Sequence, residues 1–156
     1  PLAELAMSWG IPVLVHASEP VGHSYQGKGH VTPEVLLRFI QNFPQTPIIC
    51  AHWGGGLPFY SLMPEVRKAL KNVYFDSAAS PFLYDKEVFL TLAKLIGPQK
   101  ILWGTDFPLI GIRRVLEQVR NAGFLPESEA MILGNNVAHL LGISDNSNST
   151  GTAPIS

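Results

Sequence analysis

The sequence predicts an α/β fold: a parallel sheet covered by helices and built from four βα units. Two observations carry this. Short apolar runs at 11–16, 47–52, 72–77 and 100–105 alternate with longer amphipathic stretches, the pattern of parallel strands joined by crossover helices. Three of those runs also deliver an ionisable side chain at their carboxyl end, namely His16, His52 and Asp106. Catalytic groups are built at that edge in parallel α/β folds. Four units make half of an eight-stranded barrel, or alternatively a small open sheet; a half-barrel leaves two strand edges and part of its core uncovered.

Each element has its own signal. Leu2, Leu5, Ala6 and Trp9 recur at helical spacing, which predicts the end of a helix over 1–9. The first strand is followed by a long loop, 17–31. Thr32-Pro33-Glu34 then opens a helix, with Thr as N-cap and Pro at the first helical position. Its apolar stripe is Val35, Leu36, Phe39 and Ile40, and it ends near Phe43-Pro44. Gly54-Gly55-Gly56 follows the second strand, and a helical stretch over 58–71 is interrupted near Pro64. Further helices are predicted at 85–96, 111–122 and 127–142, the last broken near Gly134. Residues 144–156 are rich in Ser, Thr, Asn and Gly and predict a disordered tail, leaving 1–143 as one domain.

Composition narrows the function classes. A formal charge of −1 over 156 residues argues against a nucleic-acid footprint or a polybasic membrane anchor. No apolar stretch approaches the ~20 residues that span a bilayer, and no secretory leader is visible, so a cytoplasmic location is expected. Cys50 is the single cysteine and lies inside a strand, where a small core residue is its expected role. Charged residues are 15%, below the roughly 25% of an average domain, and hydrophobic residues are 46%. Such a chain has apolar surface to bury, and self-association is expected.

His, His and Asp are types that bind transition metals and move protons. Any one of them alone has a bland reading: His16 as a core histidine, His52 packed on Trp53, Asp106 capping a turn. Their placement at one sheet edge favours one site. The triple glycine lets backbone approach a ligand closely. Asp76 or its neighbour Ser77 faces the site, since strand neighbours point oppositely. The long loop carries His23, Tyr25 and Lys28, which suit an anionic or polar small-molecule substrate. His139 is expected to be structural, and Met63 and Met131 are expected to fill the core.

At these residues the chain resembles the amidohydrolase superfamily, in the amidohydrolase 2 branch of metal-dependent hydrolases and aminocarboxymuconate-semialdehyde-type decarboxylases. The resemblance rests on Val13-Leu14-Val15-His16, Ile49-Cys50-Ala51-His52-Trp53-Gly54-Gly55, Asn72-Val73-Tyr74-Phe75-Asp76 and Ile101-Leu102-Trp103-Gly104-Thr105-Asp106-Phe107-Pro108. The segment 132–142 is similar to the helix that closes such barrels. The resemblance implies strands five to eight of a (β/α)8 TIM barrel. It implies a divalent metal, zinc by default, held by His16 and Asp106, with His52 serving the attacking water and Asp106 also shuttling the proton. The implied activity is hydrolysis of an amide, lactone or related carbonyl. Non-oxidative decarboxylation of an acidic substrate is the first alternative, and a non-catalytic half-barrel for binding or assembly is the second. The His-x-His pair that the family carries on its first strand does not occur here. The site is therefore expected to need an N-terminal half-barrel or a second copy of the chain.

Overall fold

The computed structural model describes residues 2–143, so the predicted tail lies outside the described residues. Four parallel strands form one sheet in the order β1-β2-β3-β4: β1 (Val13–Val15), β2 (Ile48–Cys50), β3 (Val73–Asp76) and β4 (Ile101–Leu102). Leu14 pairs with Ile49 and Ile49 with Tyr74, while Asp76 pairs with Leu102. The strands are shorter than the apolar runs suggested. The run ends leave the ladder and become the loops that carry the site.

Around the strands lie α1 (Leu2–Ser8), α2 (Pro33–Asn42), α3 (Pro64–Ala69), α4 (Ser80–Leu83), α5 (Val88–Ile96), α6 (Ile112–Arg120), α7 (Pro126–Ala130) and α8 (Asn136–Leu140). Thr32 sits in extended backbone before Pro33, as predicted, although its side chain makes no cap hydrogen bond. The predicted helix over 58–71 is split: 3₁₀ backbone up to Leu62, the short α3, and a 3₁₀ turn at Leu70–Asn72. The helix over 127–142 is not broken at Gly134. A π-helical turn, Met131–Asn135, joins α7 to α8 there. The short α4 had no signal in the apolar periodicity.

The core lies between sheet and helices. Ile48, Cys50, Val73, Phe75 and Ile101 project from the strands into a cluster with Leu36, Ile40, Trp53, Leu57, Phe89 and Leu92. Burying Cys50 pushes its thiol well above the usual range. Because strand side chains alternate, Leu14 and His16 fall on the opposite face of β1, where Leu14 is 62% exposed. Several predicted core positions are open to solvent: Leu2 and Leu5 of α1, Trp9 just after it, Val35 of α2, and Met63. Ala3 is the buried residue of α1, and its carbonyl accepts from Thr46 Oγ1. His139 is also exposed, so it makes no core contribution.

Candidate active site

The three strand-end residues converge on one cavity. His16 follows β1, His52 follows β2, and Asp106 lies beyond β4. All three line a cavity of about 530 Å³, together with His23, Tyr25, Gln26, Ala79, Phe82, Leu83 and Leu109. The imidazoles of His16 and His52 meet edge to face, 4.9 Å between centroids. Burial holds the His16 pKa below its ordinary value, and the neighbouring His52 pushes it the same way. Asp106, Glu19 and Asp76 oppose that shift.

The position of His52 depends on a left-handed turn. His52, Trp53, Gly54, Gly55 and Gly56 all have positive φ, a conformation that costs ordinary L-residues roughly 1–2 kcal/mol each. The glycines answer two demands at once. A Cβ on Gly54 would stand 2.9 Å from the Phe75 ring, and one on Gly55 would stand 2.5 Å from the Ser18 carbonyl oxygen. The triple glycine therefore lets the loop after β2 lie directly against the loop after β1 and against β3. Trp53 anchors the turn: it is fully buried, meets Phe89 edge to face, and donates Nε1–H to Ser80 Oγ.

Asp76 acts beneath His52 and is not among the residues lining the cavity. Its Oδ1 accepts the backbone N–H of His52 at 2.9 Å and that of Ala78 at 3.0 Å. Burial raises its pKa against those two hydrogen bonds and the adjacent His52. Ser77 bridges β3 to the segment after β4, donating to the Gly104 carbonyl and accepting the Gly104 N–H, both at 3.1 Å. Of the two alternatives at this strand end, both side chains thus serve the backbone. The His52 Nδ1 atom lies 3.2 Å from the Ala78 carbonyl oxygen. A carbonyl only accepts, so Nδ1 carries the proton, and in the neutral ring the Nε2 lone pair is the free one.

The long loop divides. His23 and Tyr25 line the cavity, with rings 5.6 Å apart. Lys28 does not. Its ammonium donates to the carbonyls of Val21 and His23 at 3.0 and 3.1 Å and stands 5.7 Å from the Tyr25 ring centre. It staples the loop and is not among the residues lining the cavity. The apolar wall of Ala79, Phe82, Leu83 and Leu109 was missed by the sequence reading. Its one available signal was Ser80-Pro81, which places Pro at the start of α4.

The donor set for a metal is incomplete within the described residues. No group of three His, Cys, Asp or Glu side chains there could hold a metal ion, whereas a catalytic zinc site has about three protein ligands. No helix among the described residues is long and apolar enough to cross a membrane.

Comparison with known proteins agrees with this geometry. No curated protein matches. Solved structures do. The 5-carboxyvanillate decarboxylase LigW from Sphingomonas paucimobilis superposes with a TM-score of 0.74 at 17% identity, over 92% of this chain and 53% of that one. A dihydroxybenzoic acid decarboxylase from Polaromonas sp. JS666, solved with bound manganese and the inhibitor 2-nitroresorcinol, gives 0.71 at 17% identity, over 90% and 52%. A TIM-barrel protein from Bordetella bronchiseptica gives 0.69 at 21% identity, over 92% and 50%. The chain thus spans about half the length of these structures, and its four-stranded sheet is half of a TIM barrel. The amidohydrolase family model (Amidohydro_2) matches residues 1–143, and the chain belongs to that family.

Proposed function

We propose that this chain carries the C-terminal half of the active site of a non-oxidative decarboxylase for acidic aromatic substrates. The observation that carries the reading is the make-up of the cavity. His16, His52 and Asp106 share it with Tyr25 and an apolar wall that includes Phe82, Leu83 and Leu109. Such apolar side chains suit the face of an aromatic ring, and the acid–base groups line the same cavity. The named decarboxylases among the structural neighbours favour this reading over hydrolysis of an amide or lactone.

In decarboxylation the bond between ring carbon and carboxylate breaks, and its electron pair stays on the ring carbon, which takes a proton. His52, through Nε2, and Asp106 are the groups placed to carry that proton. The left-handed turn and Asp76 hold His52 still while it does so. Tyr25, Phe82 and Leu109 orient the ring and exclude water.

The manganese bound in one structural neighbour supports including a divalent metal in this reading. We propose that His16 and Asp106 supply part of its coordination, that zinc or manganese fills it, and that the remaining donors come from an N-terminal half-barrel or a second copy of this chain.

The test is product analysis with hydroxybenzoic acids labelled with ¹³C at the carboxylate, run beside a panel of amides, lactones and esters in manganese or zinc buffer. Release of labelled bicarbonate with no cleavage of the panel supports the reading. Cleavage of the panel without release of label would return the site to hydrolysis.

A further inference from the structure

The amino-terminal edge of the sheet holds a second cavity, of about 340 Å³. Lys71 lies just before β3 and Lys100 just before β4, whereas the candidate active site is built at the carboxyl ends of the strands. No residue lines both cavities. Arg67, Lys71 and Lys100 line this one, and no Asp or Glu does. Its apolar walls include Phe75 from β3 and Leu95 and Ile96 from α5.

Two of the cationic heads are placed by hydrogen bonds to residues of the cavity itself. Arg67 donates through Nε to the Ser61 carbonyl at 2.9 Å. Lys100 donates from Nζ to the Lys71 carbonyl at 2.5 Å and stands 4.6 Å from the Tyr74 ring centre. None of the three cations forms an ion pair among the described residues. Burial lowers the Lys100 pKa, and an anion beside the ammonium would favour its charged form. Ser61 also lines the cavity. It is 1% exposed, and its buried Oγ has no hydrogen-bond partner among the described residues. Buried hydroxyls are ordinarily bonded.

We propose that this cavity is a second ligand site, for an organic carboxylate with an apolar body. The carboxylate is met by Arg67, Lys71 and Lys100, and the apolar body by Phe75, Leu95 and Ile96. A guanidinium presents paired N–H donors that match the two oxygens of a carboxylate. The apolar walls favour a hydrocarbon body over a bare inorganic anion. The Ser61 hydroxyl adds a neutral donor on the residue that holds the guanidinium. The site stands apart from His16, His52 and Asp106 and does not depend on which reaction they perform.

The probe is sodium hexanoate, titrated into the ¹⁵N-labelled full chain at constant pH and ionic strength and followed through its amide resonances. Hexanol and inorganic phosphate serve as controls. The expected result is saturable shifts at Ser61, Arg67, Lys71 and Lys100 that neither control reproduces at the same concentration. Arg67→Gln should weaken hexanoate binding about tenfold, the effect of losing a hydrogen bond to a charged group. Lys71→Gln should weaken it as well. Lys71 is exposed, so the rest of that variant's spectrum should overlay the parent's and show that the fold is kept. Equal shifts with hexanol would overturn the anion assignment, and equal shifts with phosphate would overturn the apolar body. Three outcomes would overturn the site itself: no saturable shift, shifts confined to the other cavity at residues such as His16 and His52, or an affinity that both substitutions leave unchanged. No activity assay enters, so this result is read separately from that of the decarboxylase reading.

Discussion

The His16 and His52 rings stand edge to face, their centroids 4.9 Å apart and their planes inclined by 72°. Two strands and two loops were needed to bring them together, and each ring is held from behind by a different partner. Ser18 holds His16 through Nε2, and the Ala78 carbonyl holds His52 through Nδ1.

That proximity has an electrostatic consequence. Burial first, and then His52, depress the His16 pKa, while Asp106 raises it. An NMR titration of His16 should therefore give a midpoint below the ordinary 6.5. His52→Gln should move it up and Asp106→Asn should move it further down. Between the folded and unfolded values the unfolded chain binds more protons, so this residue's contribution makes stability rise with pH through that window. The contribution is lost on acidification below about 6.5. A midpoint that neither substitution moves would mean the three side chains do not share a site.

Asp76 gives a stability test. Its Oδ1 satisfies two backbone N–H groups beneath the site. Asp76→Ala strands both and should cost about 2 kcal/mol or more. Asp76→Asn keeps an acceptor and should cost clearly less. Because burial raises the Asp76 pKa, ionisation works against the fold. Its favourable contribution is complete below the unfolded value and fades as pH rises through the folded one. The gap between Asn and Asp should accordingly narrow or reverse toward alkaline pH, as followed by thermal melts across pH.

The triple glycine yields a contrast. Gly55→Ala combines φ +60° with a Cβ 2.5 Å from the Ser18 carbonyl oxygen, and should cost more than the ~1 kcal/mol of a left-handed alanine alone. Gly111→Ala meets nothing within 4 Å and should lie within about 0.5 kcal/mol of the parent. Equal denaturant midpoints for the two variants would contradict the close approach of the two loops.

Lys28 is held within its own loop. In sequence it is a cation in a loop beside the site, and substrate contact was the natural expectation. In the structure two carbonyls and the Tyr25 ring hold it. Lys28→Ala should speed amide hydrogen exchange across the loop before it changes affinity for any anion. Protection that stays the same while anion affinity falls would restore the original reading.

The architecture was legible because its signals are periodic and local. Apolar runs ending in His16, His52 and Asp106 encode both the parallel sheet and the edge on which the site is built. Strand lengths were not legible. A run such as Trp103-Gly104-Thr105 continues the apolar segment beyond the end of β4, and only the partner strand decides where pairing stops. The roles of Asp76, Ser77 and Lys28 were open for a related reason. Whether a polar side chain faces a cavity or a backbone amide depends on where the neighbouring loop lies. Here that is set by Gly55 pressing on Ser18, a contact between distant segments. Exposed Leu14 and Trp9 broke the core pattern because the face they would pack against is not covered by the described residues.

We propose that His16, His52 and Asp106, arriving from three strand ends, form one site for a divalent ion and its substrate. Paramagnetic relaxation can test this residue by residue. Manganese(II) is added in trace amounts to the ¹⁵N-labelled chain, and broadening is followed residue by residue. Weak binding by a partial donor set suffices for this readout. Resonances of His16, His52 and Asp106 should broaden first and together, and Asp106→Asn should weaken the effect at all three. Broadening centred on His30 or His139, or broadening at one of the three residues that leaves the other two sharp, would contradict it.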